Sequence, residues 1–249
     1  MNVKTRDNTV LITGGATGIG LALAESLVKL GNTVIVCGRR ADRLEDAKRR
    51  VPVLNVRQCD VSKEGDRKAL YTWIEENFKG LNVLVNNAGI QRRVDFTKGT
   101  EDLLKKEDEI EINFKAQVYL AAQFVPMLSK QKEAAIVNMS SGLGFVPLTI
   151  FPIYSATKAA THSFTMSLRH QLRETSIRVY EVVPPTVYDT ELKGKPLERT
   201  EWAVSSSEVA VAVVKGLEED TYEIAIGPSK TWMSSTKNEL DQVFRNINH

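Results

Sequence analysis

A tyrosine and a lysine stand four residues apart in the sequence YSATK, where Tyr154 and Lys158 share one face of a predicted helix. Ser141 precedes them at the end of an apolar, β-branched run. A hydroxyl, a phenol and an ammonium group meet in one site if that strand end lies beside the start of the helix. Such a set suits the transfer of a proton to the alkoxide that forms when a carbonyl accepts a hydride.

A free tyrosine has a pKa of about 10, which is high for proton transfer near neutral pH. A neighbouring lysine cation and an oxidised nicotinamide would both lower the pKa of Tyr154. Ser141 would hold the carbonyl oxygen of the substrate. A Tyr-x-x-x-Lys pair alone is typical of an ordinary helix surface. A serine alone is typical of an ordinary strand end. The hypothesis of a catalytic site therefore rests on the three residues together.

A glycine-rich turn, TGGATGIG at residues 13–20, links a short strand to a helix. Bare backbone at Gly14, Gly18 and Gly20 would let a pyrophosphate approach the free N–H groups of the helix start. Thr17 and Ile19 belong to the same predicted cofactor contact. The spacing differs from G-x-G-x-x-G, and the Lys-Ser/Thr of a P-loop is missing, which argues against an ATPase. The alternative is a purely structural turn.

The end of the second predicted strand indicates which cofactor is bound. Its sequence is VCGRRADR, so Gly38 stands where an acidic residue would accept hydrogen bonds from a ribose 2′-OH. Arg39 and Arg40 follow, and guanidinium groups suit a 2′-phosphate. We therefore expect NADP(H) rather than NAD(H). The alternative is that these arginines form an ordinary solvated turn.

Strands and helices alternate along the whole chain, which predicts an α/β fold. The strands are apolar throughout, which is typical of strands buried on both faces of a parallel sheet. We expect one Rossmann domain over residues 1–249, a doubly wound parallel sheet of about seven strands flanked by helices. The strands are predicted at 9–13, 33–37, 54–61, 82–86, 134–140, 177–183 and 222–226, and the helices at 18–31, 41–50, 64–78, 101–128, from 154, and through 217. Ser205 and Glu208 predict a capping box that opens the last of these helices.

A polar, proline-containing segment at 184–205 follows the sixth predicted strand. Ligands of such sheets bind outside the carboxyl ends of the strands. The segment is therefore a candidate substrate lid. An ordinary surface connection is the alternative.

Composition excludes several other classes of partner. The formal net charge is +2, which gives no electrostatic basis for binding nucleic acid or an anionic membrane. No apolar run approaches the length of a membrane span, and no secretory signal is evident, so we expect a cytoplasmic protein.

Cys37 and Cys59 are expected to be buried, reduced thiols. His162 and His170 have no ligand-like neighbours, and no metal site is predicted.

Six motifs in order resemble the short-chain dehydrogenase/reductase family over nearly the whole chain. They are TGGATGIG, CDV at 59–61, NNAG at 86–89, EIN at 111–113, SSGLG at 140–144, and YSATK. The resemblance implies catalytic roles for Asn113, Ser141, Tyr154 and Lys158. Asn113 would distort its helix and hold a water that links Lys158 to solvent, and Lys158 would bind the nicotinamide ribose. The resemblance also implies cofactor contacts at Asp60, Val61, Asn87, Ala88 and Gly89. Ser140 competes with Ser141 if the strand ends one residue earlier.

The chain departs from the family pattern after the sixth strand, where it reads PPTVYDTEL. The family has Pro-Gly there, followed by a valine and a threonine that bind the nicotinamide amide. Pro184 and Val187 are the matching residues. Pro185 replaces the glycine, and one inserted residue, Tyr188 in our interpretation, makes the assignment of Thr190 less direct.

The substrate is expected to be a small molecule with a carbonyl or alcohol group. The loop IQRRVDF follows NNAG, and either Arg92 or Arg93 could bind an anionic group of the substrate there. Solvated loop arginines are the alternative. Leu143, Phe151 and Tyr188 are candidate apolar walls. By the same resemblance we expect a homodimer or homotetramer.

Two other functions remain possible for this fold. One is a cofactor-binding sensor or scaffold without turnover, which would not need an activated phenol. The other is a lyase or epimerase that uses the nicotinamide transiently, with no net change in NADPH.

Overall fold

A parallel sheet of seven strands forms the centre of the computed structural model, which describes residues 5–104, 107–192 and 198–248. Every strand pairing is parallel. This confirms the predicted fold class. The strands are β1 (Thr9–Thr13), β2 (Thr33–Gly38), β3 (Asn55–Gln58), β4 (Leu81–Asn86), β5 (Ala134–Met139), β6 (Ile177–Val183) and β7 (Glu223–Ala225).

The strand order is β3-β2-β1-β4-β5-β6-β7, so the chain reverses direction across the sheet between β1 and β4. Such a switch point opens a crevice at the carboxyl ends of the strands, which is where ligands of doubly wound sheets bind. The glycine turn after β1 and the NNAG motif at the end of β4 both lie at this crevice.

Helices cover both faces of the sheet. One core packs α1, α2 and α7 against it, and the other packs α3, α5 and α6. Two further helices follow β7. The helices are α1 (Gly18–Lys29), α2 (Ala41–Arg50), α3 (Glu64–Asn77), α4 (Glu101–Leu104), α5 (Ala116–Leu128), α6 (Pro152–Gln171), α7 (Ser206–Glu218), α8 (Ser229–Ser234) and α9 (Lys237–Ile247). Ser205 and Glu208 form the predicted capping box at the start of α7.

The prediction of a strand over 54–61 was too long, since β3 covers only Asn55–Gln58. β3 lies at the edge of the sheet, so it pairs with β2 alone. Arg57 and Gln58 are exposed there. The apolar residue Cys59 is buried beyond the strand, and its N–H still donates to the Gly38 carbonyl at 2.9 Å.

The prediction of one helix over 101–128 was wrong. The short helix α4 ends at Leu104, residues 105 and 106 lie outside the described residues, and Glu107 and Asp108 are not helical. The Asp108 carboxylate accepts hydrogen bonds from the N–H groups of Ile110 and Glu111 at 2.7 and 3.3 Å. It therefore caps a new helical segment, which begins at Glu109, passes through a π-helical turn at Glu111–Lys115 and continues into α5.

In the segment 184–205, residues 184–187 and 190–192 lie at the crevice after β6, and residues 193–197 lie outside the described residues. Its two ends pair with each other, because Val187 and Val204 form an isolated parallel bridge.

The two cysteines, both within the described chain, are buried and free of any disulfide, as expected. A hydrogen bond with Cys59, together with burial, raises the pKa of the Cys37 thiol. Among the described residues, no helix combines the length and the apolar character that crossing a bilayer requires. The same residues contain no group of three or more metal-ligating side chains.

Candidate active site

The glycine turn has the backbone that its sequence predicts. Gly14 and Gly18 adopt positive φ angles of 63° and 54°. A Cβ atom on Gly20 would lie 2.5 Å from the Gly14 carbonyl oxygen and 2.6 Å from Asn87 Nδ2. The turn therefore folds so closely onto itself and onto β4 that these positions exclude side chains.

Asn87 fastens the turn to β4. Its side-chain amide donates to the carbonyl oxygens of Thr13 and Gly14 at 2.9 and 3.1 Å. The Thr13 hydroxyl accepts the N–H groups of Asn87 and Ala88, both at 3.0 Å. The motif NNAG thus holds the start of α1 in place at the switch point.

Tyr154 lies in the first turn of α6 and is only 6% exposed. Burial raises the pKa of its phenol to about 12, a hydrogen bond with Ser141 opposes this, and the charge of Glu109 adds to it. The lowering of this pKa by an oxidised nicotinamide beside Lys158 stays a prediction. Burial outweighs the other influences, so the phenol stays protonated.

Ser141 and Ser140 have different surroundings. The Ser140 hydroxyl donates to the Val182 carbonyl at 3.1 Å, which ties it to the neighbouring strand. The Ser141 hydroxyl accepts the Leu143 N–H at 3.2 Å and also bonds the Tyr154 phenol. Ser141 is therefore the serine that is coupled to the tyrosine.

Lys158 is 4% exposed, and its ammonium group lies 5.5 Å from the centre of the Tyr154 ring. The ammonium donates to the Met139 carbonyl at 2.7 Å. Burial lowers the pKa of Lys158 to about 8, although the buried carboxylate of Glu181 partly opposes this. At neutral pH the lysine is still mainly charged.

Asn113 lies at the centre of the π-helical turn, so the helix is distorted at this residue as the family resemblance implies. Its side-chain amide donates to the Ile90 carbonyl and its carbonyl oxygen accepts the Ile90 N–H, both at 2.8 Å. The amide also lies 3.3 Å from the hydroxyl of Thr157. These contacts join the π-helical turn to the NNAG loop and to α6.

A single cavity of about 320 Å³ connects these groups, a volume typical of small-molecule sites. It runs from the arginines after β2, past the glycine turn, to Tyr154 and Lys158. Sixteen of the predicted cofactor-binding residues line it: Gly14, Thr17, Gly18, Ile19, Arg39, Arg40, Asp60, Val61, Asn87, Ala88, Gly89, Tyr154, Lys158, Pro184, Val187 and Thr190. Gly20 lies behind the turn, where it packs against Gly14 and Asn87.

The candidate substrate residues fall into two groups. Leu143 lines the cavity, whereas Arg92, Phe151 and Tyr188 are not among its described lining residues. The Arg92 side chain is 11% exposed and faces the fully buried Glu109, with Nε 3.7 Å from a carboxylate oxygen. Arg93 is exposed and lies over the ring of Phe151, at 5.9 Å.

Several cavity residues were missed by the sequence analysis. Trp232 reaches the cavity from α8, and a Cβ on Gly142 would lie 2.7 Å from its ring. Arg43 and Glu191 also line the cavity, at the end that holds Arg39 and Arg40. Gly142 was the signal for the contact with Trp232, since a glycine next to a serine at a strand end is typical of a close approach by another part of the chain, but the sequence does not identify that part.

The cavity fits a dinucleotide. The turn presents the start of α1 without side chains, where a pyrophosphate would bind. Arginines lie at one end, where they would meet the ribose of the adenosine half. The phenol and ammonium lie at the other end, where they would meet a nicotinamide ribose and a substrate.

Comparison with known proteins establishes the class. Residues 8–201 match the family model of the short chain dehydrogenases. The chain therefore belongs to the short-chain dehydrogenase family, a family of oxidoreductases, which confirms the resemblance seen in the motifs.

Individual relatives agree with this assignment. The chain is 49% identical to the uncharacterized oxidoreductase DltE of Bacillus subtilis strain 168 over 249 residues, which cover 99% of this chain and 98% of the relative. Two solved structures share the fold. A short chain dehydrogenase from Burkholderia cenocepacia J2315 in complex with NADP has a TM-score of 0.81 at 23% identity, covering 98% of this chain and 99% of that chain. A short chain dehydrogenase/reductase from Burkholderia phymatum in complex with NAD has a TM-score of 0.80 at 21% identity, covering 98% of both chains.

Proposed function

We propose that this chain is an NADP(H)-dependent oxidoreductase that interconverts a carbonyl and an alcohol, with Tyr154 as general acid and base. One observation carries the proposal. A buried phenol, bonded by the Ser141 hydroxyl, lines the cavity together with a buried lysine cation. Binding alone would not require this set of groups, whereas proton transfer to a substrate oxygen does.

The cofactor would lie along the cavity with its pyrophosphate at the glycine turn. Asp60 and Val61 would contact the adenine, and Lys158 the nicotinamide ribose. The backbone of Pro184 and Val187 would face the nicotinamide amide, with Thr190 beside it. When bound, the cofactor supplies or accepts the hydride. NADP(H) is favoured because Arg39, Arg40 and Arg43 line the cavity beside Gly38, where an acidic residue would oppose a 2′-phosphate.

The protein groups supply the proton and hold the substrate. With a pKa of about 12, the Tyr154 phenol is protonated at neutral pH and donates as the substrate oxygen becomes an alkoxide. The Ser141 hydroxyl holds the same oxygen. Lys158 remains mainly charged at neutral pH and stabilises the phenolate that this transfer leaves. Asn113 would connect Lys158 to solvent through a bound water.

The substrate would enter beside the segment 184–205, which we propose acts as a lid. Leu143, Leu192 and Trp232 give this end of the cavity an apolar wall. We place the substrate carbonyl next to these side chains, and any anionic group of the substrate toward the exposed Arg93 rather than toward Arg92, which faces Glu109.

We further propose that two or four copies of the chain assemble. Tyr119 on α5 and Met166 on α6 are 49% and 50% exposed, so each helix presents a large apolar residue away from the sheet. Light scattering at micromolar concentration should show a dimer or tetramer. A monomer alone would contradict this part of the proposal.

The direct test of function is the consumption of NADPH, followed at 340 nm, with a panel of aldehydes, ketones and keto acids. NADH is assayed in parallel, and the products are identified. Turnover that yields one alcohol for each NADPH oxidised would support the proposal. Tight NADPH binding with no turnover on any carbonyl would favour a sensor or scaffold. Product formation without net NADPH oxidation would favour a lyase or epimerase.

A further inference from the structure

An acidic side chain occupies the end of the cavity that the arginines line. Glu191 follows Thr190 in the segment after β6. One of its carboxylate oxygens lies 2.8 Å from Arg43 Nη2, and the other lies 3.0 Å from Arg40 Nη1. All three residues line the cavity, as does Arg39. The carboxylate thus bridges two guanidinium groups inside the proposed cofactor site.

This geometry resembles the binding of a phosphate monoester. Two oxygens of one anion accept hydrogen bonds from two guanidinium groups, as the oxygens of a phosphate do. Apart from its chain neighbours, a Cβ on Gly38 would meet no atom within 4 Å, so the end of β2 beside these arginines is not filled by another part of the described chain. The two guanidinium groups that hold the carboxylate are therefore the groups that a phosphate would meet there.

The segment that carries Glu191 is anchored at this place. The Thr190 methyl group lies 3.0 Å from the position of a Cβ on Gly18, so it packs on the glycine turn. Asp189 accepts hydrogen bonds from the N–H and hydroxyl of Ser206 at 2.8 and 2.9 Å, at the start of α7. The two residues before Glu191 are therefore held against the glycine turn and the start of α7, which places the Glu191 side chain beside the arginines.

We propose that Glu191 tunes cofactor specificity by acting as an internal anion in the 2′-phosphate subsite. The inference rests on the proposed NADP(H)-dependent function. A 2′-phosphate must displace the carboxylate from Arg40 and Arg43, so NADP(H) binds less tightly than the arginines alone would allow. NAD(H) has no such phosphate and leaves both ion pairs in place. Glu191 therefore reduces the ratio by which the affinity for NADP(H) exceeds the affinity for NAD(H).

The test compares Glu191→Gln with the wild type by titration calorimetry in about 0.15 M salt. The ligands are NADP⁺, NAD⁺ and adenosine 2′,5′-bisphosphate, which carries the phosphate without the nicotinamide. We expect the variant to bind the two 2′-phosphorylated ligands about 2- to 30-fold more tightly, which corresponds to about 0.4 to 2 kcal/mol for two partly exposed ion pairs. NAD⁺ affinity should stay within about twofold.

Glu25→Gln is the matched control. Glu25 also pairs with an arginine, Arg50, but neither residue is among the described lining of the cavity. This control removes the same charge elsewhere and should leave all three affinities unchanged. Thermal unfolding of both variants confirms that they are folded.

The outcomes separate this inference from the proposed function. If the wild type binds NADP⁺ but Glu191→Gln binds it equally or more weakly, the internal-anion role is wrong and the proposed function stands. The internal-anion role is also wrong if Glu191→Gln gains as much affinity for NAD⁺ as for NADP⁺, because the substitution then does not act through the 2′-phosphate. If the wild type binds neither nucleotide, both proposals fail.

Discussion

Removing the charge of Lys158 should stabilise the cofactor-free protein. The pKa of this lysine is about 8 in the folded chain, compared with the ordinary 10.5, because the ammonium is buried. The unfolded chain therefore holds the proton more tightly than the folded chain does. This difference corresponds to a destabilisation of about 3 kcal/mol at neutral pH.

Lys158→Met keeps the aliphatic bulk and removes the charge. It also removes the hydrogen bond to the Met139 carbonyl, a loss of about 1 kcal/mol. The net gain at pH 7 is then about 2 kcal/mol in the free energy of unfolding, or a rise of about 4–8 °C in Tm. Since the unfolded state binds more protons between pH 8 and 10.5, wild-type stability rises with pH across that window. The gain should nearly vanish at about pH 9.5.

The assay is denaturant unfolding of cofactor-free wild type and Lys158→Met at both pH values. Lys215→Met is the control, because Lys215 is an exposed lysine on α7 and should change stability little. A variant that is no more stable than the wild type at pH 7, or whose advantage persists at pH 9.5, would refute the reasoning. It would mean that burial does not disfavour the lysine cation.

Two further substitutions probe the scaffold of the site. Gly20→Ala should destabilise the chain by about 1 to 3 kcal/mol and abolish NADPH binding, because the added methyl meets the glycine turn at 2.5 Å. Gly65→Ala is the control, because Gly65 lies in α3 and a Cβ there meets nothing within 4 Å. It should leave binding unchanged and should not lower stability, since alanine favours a helix over glycine. Equal losses at the two sites would contradict the packing argument. Arg92→Met should lower stability by about 3 kcal/mol, because it leaves buried Glu109 without its guanidinium partner. A variant with unchanged Tm and weaker binding of acidic substrates would instead place Arg92 at the substrate.

The sheet and the glycine turn that lines the cavity could be predicted from the sequence. Both are determined by residues that are close together in the chain. Apolar strands between amphipathic helices predict a parallel sheet, and a strand followed by TGGATGIG predicts the turn at its switch point. The Ser141, Tyr154 and Lys158 set could be found because each residue belongs to a short motif. The break before α5 was missed because the capping contact of Asp108 competes with an otherwise helical pattern.

The rest of the site depends on contacts between distant parts of the chain. Glu191 meets Arg43 across a separation of 148 residues, and no periodicity or motif links the two. Trp232 packs on Gly142 from a C-terminal helix for the same reason. The raised pKa of Tyr154 in the cofactor-free chain could not be predicted either, because the motif shows the neighbouring charge but not the extent of burial.

The central claim, that Tyr154 is the proton donor of a hydride-transfer reaction, is tested most directly by Tyr154→Phe. This variant keeps the ring and removes only the hydroxyl. The measurements are kcat for NADPH-dependent reduction of the best carbonyl substrate and the Kd for NADPH. The account predicts a fall in kcat of about 10²- to 10⁴-fold with Kd within about threefold of the wild type. A variant that retains full kcat would contradict the claim, because the proton would then come from another group.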